Sequence, residues 1–222
     1  MATQFSEKEG RSWKARFFII WTGQAISLLG SQLVQFALIW YLTSLTGSAK
    51  VLATAALVGL LPQVFLGPFI GSLVDRYNRK TIMVIADSSI AIATVFLAIL
   101  FASGDIQLWH IYALMFIRSI GGGFHYSAMT ASTSLMVPTE QMTRIQGINQ
   151  TMQGGLNILS APLGALLLEL LDMQYILAID VATALIAITP LLFVIIPQPA
   201  RIDAGTAHNT SMWQDTVAGF KY

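Results

Sequence analysis

Two apolar runs, from about Val51 to Ile70 and from about Thr81 to Ser103, flank a charged knot, Gly71-Ser72-Leu73-Val74-Asp75-Arg76-Tyr77-Asn78-Arg79-Lys80. Each run is close to the ~20 residues a helix needs to cross a bilayer. A short loop with three basic residues between two such spans reads as a cytoplasmic turn. Orientation rules ask nothing of Asp75, so the carboxylate in that turn needs its own explanation. The pattern commits the chain to an all-α membrane protein.

Composition agrees. Hydrophobic residues make up 55% of the chain and charged residues 10%, with a mean hydropathy of +0.67, against roughly 25% charged in soluble domains. That much apolar surface has to use lipid as part of its solvent. A net charge of +1 and the lack of a basic stripe with interleaved aromatics exclude nucleic acid as a partner. With no cysteine in the chain, disulfides, thiolate metal sites and cysteine nucleophiles are excluded too. Lys8, Arg11, Lys14 and Arg16 precede an apolar stretch, as in a signal peptide. The run from Phe17 to Leu45 is too long for one, and no small-residue cleavage site follows it, so it reads as a retained first helix.

Apolar windows separated by polar or Gly/Pro breaks predict six helices, near 17–44, 51–72, 81–103, 107–134, 141–168 and 174–196. The short links between them leave no room for an extramembrane domain. With both termini inside, the cytoplasmic face receives Lys8, Arg11, Lys14, Arg16, Arg76, Arg79, Lys80, Arg144, Arg201 and Lys221, and the outer face only Lys50. That is a strong positive-inside bias. Trp109, Tyr112 and Tyr175 then lie near the outer interface, where amphipathic rings favour the headgroups. The expected division is a cytoplasmic N-terminus over 1–16, a bundle over 17–196 and a cytoplasmic linker over 197–222. Spans 2 and 5 share a trait: Pro62, Gly67-Pro68 and Gly71 interrupt one, Gly154-Gly155 and Pro162-Leu163-Gly164 the other. Gly/Pro-interrupted helices at matching places in two three-helix units are what inverted repeats of secondary transporters show. Gly and Pro are also simply common in membrane helices.

The segment from Gly71 to Lys80 closely resembles the loop 2–3 motif of the major facilitator superfamily, G-x-L-x-D-R-x-G-R-[RK]. Gly71, Leu73, Asp75, Arg76, Arg79 and Lys80 match, and Asn78 replaces the usual Gly. Asn tolerates the left-handed conformation better than most residues, so the turn is expected to survive. In span 4, Phe116-Ile117-Arg118-Ser119-Ile120-Gly121-Gly122-Gly123 is similar to the R-x-x-x-G element of proton-coupled members, with Phe124 where a second Gly is usual. Ser160-Ala161-Pro162-Leu163-Gly164-Ala165 is a degenerate form of the drug-antiporter motif G-P-x-x-G-G. The whole chain most resembles bacterial macrolide-efflux-type exporters, carried by Trp21 to Ser31, Phe116 to Tyr126 and Ala178 to Val181. The resemblance implies one six-helix half of a twelve-span fold, with 3+3 inverted repeats. The tail from Ser211 to Tyr222 then reads as the lead-in to a seventh span.

Charges inside the spans cost at least ~2.5–3.5 kcal/mol each at mid-bilayer, so they have to face protein or water. Arg118, mid-way along span 4, is the leading candidate for proton coupling or substrate binding. Asp180 joins it, although a structural partner or hydrated interface is its plainer role. Asp87 is expected to pack against Arg76 or Arg79, and Glu169 to reach the headgroups. Gln24, Ser27, Gln32 and Gln35 on span 1 indicate a wet path, since lipid-facing helices rarely carry four such groups. With Met129 and Met152 they would suit an amphiphilic, drug-sized ligand. Gly121, Gly122, Pro162 and Gly164 are expected to serve helix packing. His125 and Tyr126 follow on the same helix, but one His is weak evidence for proton transfer. By resemblance, Gly71, Asp75, Arg76, Arg79 and Lys80 form a gate working against helices of the other half.

G-x-S-x-G, H-E-x-x-H and the P-loop are all absent from the sequence, so neither an enzyme nor an ATP-driven pump is expected. No cofactor is implied. The expectation is export of drug-like amphiphiles by alternating access, coupled to protons, from the cytoplasmic membrane. A non-transporting interaction module or inactive half is the alternative, and a homodimer or a second half-chain could complete the machine. A siderophore or other metabolite would fit the same features as a drug.

Overall fold

The computed structural model describes residues 2–194 and 196, with side chains from Trp13 onward. The expected linker over 197–222 lies outside the described residues, as do the side chains of Lys8 and Arg11. Six helices follow one another: α1 (Ala2–Thr46), α2 (Ala49–Arg76), α3 (Arg79–Ser103), α4 (Leu108–Met136), α5 (Met142–Leu170) and α6 (Met173–Phe193), with a 3-10 turn at Thr139–Gln141 before α5. The first three predicted spans fall inside their helices; the fourth and fifth begin one residue before Leu108 and Met142, and the last helix ends at Phe193 instead of residue 196.

Four of the six, α1, α2, α3 and α6, are both long and apolar enough to cross a membrane. Helices α4 and α5 have 29 residues each, ample length at 1.5 Å per residue. Their apolarity falls short because one face of each is polar: Arg118, Ser119, His125 and Thr133 on α4, Gln146, Asn149, Gln150 and Gln153 on α5. Those side chains line a cavity, described below, so the dilution of hydropathy has a structural cause.

The charged knot is less of a loop than the sequence implies. Helix α2 runs through Asp75 to Arg76 and α3 starts at Arg79, leaving Tyr77 and Asn78 as the whole connection. Asn78 is not left-handed, a correction to the sequence expectation. At φ −65° and ψ 115° it sits in extended backbone and its side chain accepts a hydrogen bond from the Thr81 amide at 3.2 Å. It is an N-cap, filling one of the orphan donors at the start of α3. Asn78→Ala is expected to cost about 1 kcal/mol, and Asn78→Gly, the usual motif residue, only a few tenths. Thermal unfolding in detergent checks both. Left-handed glycines do occur at two other breaks, Gly47 (φ 55°) and Gly104 (φ 79°).

Apart from α3 and α4, helices adjacent in sequence touch little. Helix α1 packs on α6 and α5, α3 on α6 and α4, and α2 on α4. Read around the bundle, the order is α5-α1-α6-α3-α4-α2, a ring left open between α2 and α5. Exchanging α1 with α4, α2 with α5 and α3 with α6 reproduces the main contacts of this order, as two three-helix units related by a pseudo-two-fold axis require.

Two apolar cores fill opposite ends of the ring. One gathers Leu38, Leu42, Leu97, Ile111, Met115 and Leu177. The other gathers Phe17, Ile20, Ile70, Met83, Met136 and Leu191. The outward stripe of α3, Ile85, Ile92, Phe96 and Ile99, is more than half exposed. In water such a surface would be an aggregation patch; in a bilayer it is the lipid face. Glycines bring helices together at chosen points. A Cβ on Gly23 would stand 3.3 Å from Ala187 Cα, and one on Gly164 2.6 Å from the Phe36 ring.

A polar cavity in the open ring

Between the two cores lies a layer of charge. Arg118 on α4 donates to Asp180 on α6 at 2.5 Å, to the Ser31 carbonyl on α1 at 3.1 Å and, at 3.4 Å, to Thr94 on α3. Asp180 also accepts from Ser31 Oγ at 3.1 Å. Seven residues after Arg118, two turns on and over the same face, His125 Nδ1 lies 2.8 Å from Asp87 Oδ1 on α3. That contact has the distance of an ion pair without the alignment of a hydrogen bond. Gln24 on α1 donates to the other Asp87 oxygen at a long 3.4 Å. Asp87 and Asp180 are 8% and 3% exposed, so each carboxylate depends on these partners.

The two carboxylates occupy matching places, two turns into α3 and two turns into α6. Each reaches both α1 and α4. This corrects the expectation for Asp87, whose partners are His125 and Gln24 and not the arginines of the charged knot. Arg79 and its neighbour Lys80 instead bind carbonyls of other helices. Buried Arg79 donates to the Ala131 carbonyl near the end of α4 at 2.7 Å and lies 3.8 Å from Asp75. Lys80 donates to the Leu192 and Val194 carbonyls at the end of α6, at 2.8 and 3.2 Å. A cation such as Lys80 is favourable at the end of α6 because the last carbonyls of a helix lack intrahelical donors. Asp75 itself is exposed, as are Arg76 and Glu169 near the end of α5. Tyr112, expected at the headgroups, is half-buried and donates to the Val51 carbonyl on α2.

A cavity of about 510 Å³ opens beside the charged layer, between α1, α2, α4 and α5. This lies within the ~300–1,000 Å³ of drug-sized sites. Gln24, Ser27, Gln32 and Gln35 all line it from α1, with Met129 from α4 and Met152 from α5. Asp87, Arg118 and His125 reach it as well, whereas Asp180 sits behind the wall. Helix α5, which packs mainly on α1, is tied there by Trp21 donating to Asn149 at 2.7 Å and Gln32 donating to Asn157 at 3.2 Å. Ser119 Oγ and Gln153 Oε1 are buried on this wall without a hydrogen-bond partner. The glycines divide: Gly121 meets Ile90 of α3, while Gly122 has open space and faces the cavity. Pro162 is exposed on α5.

The Major Facilitator Superfamily profile matches residues 20–219. The chain belongs to the major facilitator superfamily. It is therefore a multi-pass membrane protein of a transporter family and not an enzyme. Macrolide efflux protein A of Streptococcus pyogenes is 45% identical over 187 residues, covering 84% of this chain and 46% of that one. Macrolide efflux protein A of Enterococcus faecalis is 43% identical over 152 residues, covering 68% and 47%. The uncharacterised MFS-type transporter YkuC of Bacillus subtilis is 23% identical over 193 residues, covering 87% and 44%. The chain thus spans about half the length of the curated relatives it matches. No solved structure matches it.

Sequence reasoning found Arg118 and the span 1 amides but missed the Asp87–His125 contact and the polar face of α5. The register between Arg118 and His125 was the available signal for the first. For the second it was the run of amides at Gln146, Asn149, Gln150 and Gln153, three or four apart.

Proposed function

We propose that the chain forms the N-terminal half of a secondary transporter that exports amphiphilic, drug-like molecules, macrolides among them. The observation that carries this reading is the cavity, whose amide, charged and methionine walls suit a ligand with one apolar body and several polar handles. The names of the relatives point the same way. Both termini lie in the cytoplasm, on the positive-inside bias. Alternating access works by rocking this half against a second six-helix unit, from another chain or a second copy, across the open side between α2 and α5. Asp75, exposed at the end of α2, then meets that partner, with Gly71 and Arg76 on the same helix and Arg79 and Lys80 anchoring the start of α3 to α4 and α6. Proton exchange drives the cycle through Arg118, Asp180 and the groups beside them.

The same open side favours a second reading, a half that binds a partner but moves nothing by itself. One experiment separates the two. Cells making the 222-residue chain are expected to accumulate severalfold less labelled macrolide than cells without it, with the difference erased by a protonophore. Equal accumulation, once membrane insertion is verified, overturns transport by this chain and leaves the second reading standing.

A further inference from the structure

The charged side chains at the centre of the bundle cancel only when the Asp87–His125 pair holds one proton. Arg118 is neutralised by Asp180, at 2.5 Å and behind the cavity wall. That leaves Asp87, the one carboxylate among the described residues lining the cavity. Its neighbours supply no fixed positive charge. Helix α1 faces it with the Gln24 amide, and α4 with His125 and, farther along the wall, the phenol of Tyr126. The cavity-lining residues of α2 and α5 carry no titratable group at all. A lone carboxylate at this depth is strongly disfavoured, so an ionised Asp87 requires one cation.

We propose that Asp87 and His125 form a one-cation exchange site, in which the carboxylate pairs either with the imidazolium of His125 or with the positive group of a cationic amphiphile. This rests on the cavity being an amphiphile site. When the ligand cation reaches Asp87, the N–H bond of the imidazolium breaks, the nitrogen keeps the electron pair and the proton leaves to cavity water. One positive charge enters and one departs, so the central layer stays neutral throughout. The geometry favours displacement: the His125 contact is close but unaligned, and the Gln24 hydrogen bond is stretched to 3.4 Å. Neither partner locks the carboxylate as Arg118 locks Asp180. Ile90, one turn along from Asp87, and Met129, one turn along from His125, line the adjoining wall and offer the apolar contact such a ligand needs.

The test uses the full chain in lipid nanodiscs, with empty nanodiscs subtracted. Binding of tetraphenylphosphonium is followed by calorimetry in two buffers of different ionisation enthalpy, over a series of pH values. The uncharged analogue triphenylphosphine oxide runs alongside. We expect about one proton released per phosphonium bound, and none in His125→Gln, which still binds the cation. Asp87→Asn is expected to weaken phosphonium binding about thirtyfold or more, while the neutral analogue stays within about twofold, showing that the variant is folded. Phosphonium affinity unchanged in Asp87→Asn, or undiminished proton release in His125→Gln, overturns the exchange site. Binding of the neutral analogue but not the cation by the unmodified chain overturns it while sparing the amphiphile cavity. Binding of neither removes both.

Discussion

Arg118→Ala is expected to destabilise the bundle by about 3–5 kcal/mol, and to lose any export with it, because it strands a buried charge. Asp180 is 3% exposed, lies outside the cavity lining and would keep only the Ser31 hydroxyl as a hydrogen-bond partner. The reverse change is milder. Asp180→Asn leaves Arg118 next to the cavity, where its guanidinium still donates to the Ser31 carbonyl and to Thr94. Replacing both partners, Arg118→Met with Asp180→Leu, removes the charges together and is expected to return stability to within about 1–2 kcal/mol of the parent, since apolar replacements of buried pairs are often neutral. Thermal unfolding in detergent orders the three variants. The double variant also isolates function: a folded chain without export would place Arg118 in the transport step, and retained export would make the pair a structural clamp.

Gly30→Val is expected to cost the fold about 1–3 kcal/mol through overpacking. Any Cβ at residue 30 would press on Thr183 Oγ1 and stand 3.3 Å from Asp180 Cα. The hydroxyl could turn away, but the Asp180 backbone belongs to α6 and moves only with the helix. Parting α1 from α6 here also stretches the hydrogen bond from Ser31 to Asp180, so the charged layer feels the same substitution. Thr183→Ala added to Gly30→Ala should recover part of the loss, since it removes the nearer obstacle and not the backbone. Gly122→Ala is the control, with nothing within 4 Å of its added methyl. Better helix propensity should leave that variant as stable as the parent or slightly more so, by up to about 1 kcal/mol.

The spans could be read from the sequence because hydropathy depends on local composition, and six windows of it predict six helices to within a few residues, except at the start of α1, which extends back to Ala2. Arg118 was legible for the same reason: a cation deep in an apolar run has few roles open to it. The pairings were not. Which carboxylate reaches Arg118 depends on α6 lying between α1 and α3, an arrangement set by glycines such as Gly23 and Gly30 and by surfaces distant in sequence. Asp87 looked close to Arg79 along the chain, yet the two are eight residues apart, about 12 Å along one helix, too far for an ion pair. Asn78 misled through its motif. A glycine at that place implied a left-handed turn, while the extended backbone there serves equally well as a cap.

The order of the ring has a consequence for how the chain is made. Helix α1 finds its principal neighbour in α6, whose first residue, Met173, comes 127 positions after Thr46. At synthesis rates of ~5–20 residues per second the interval is roughly 6–25 s. Through that time α1, and for the latter part of it α3, lacks its α6 partner, and Arg118 arrives on α4 before its carboxylate exists. Within the central layer, the first charged contact available is Asp87 with His125, as α4 enters. Arrival of α6 then closes both long-range interfaces and satisfies Arg118 in one event. Assembly is therefore late and cooperative, with the last helix acting as the latch for the first.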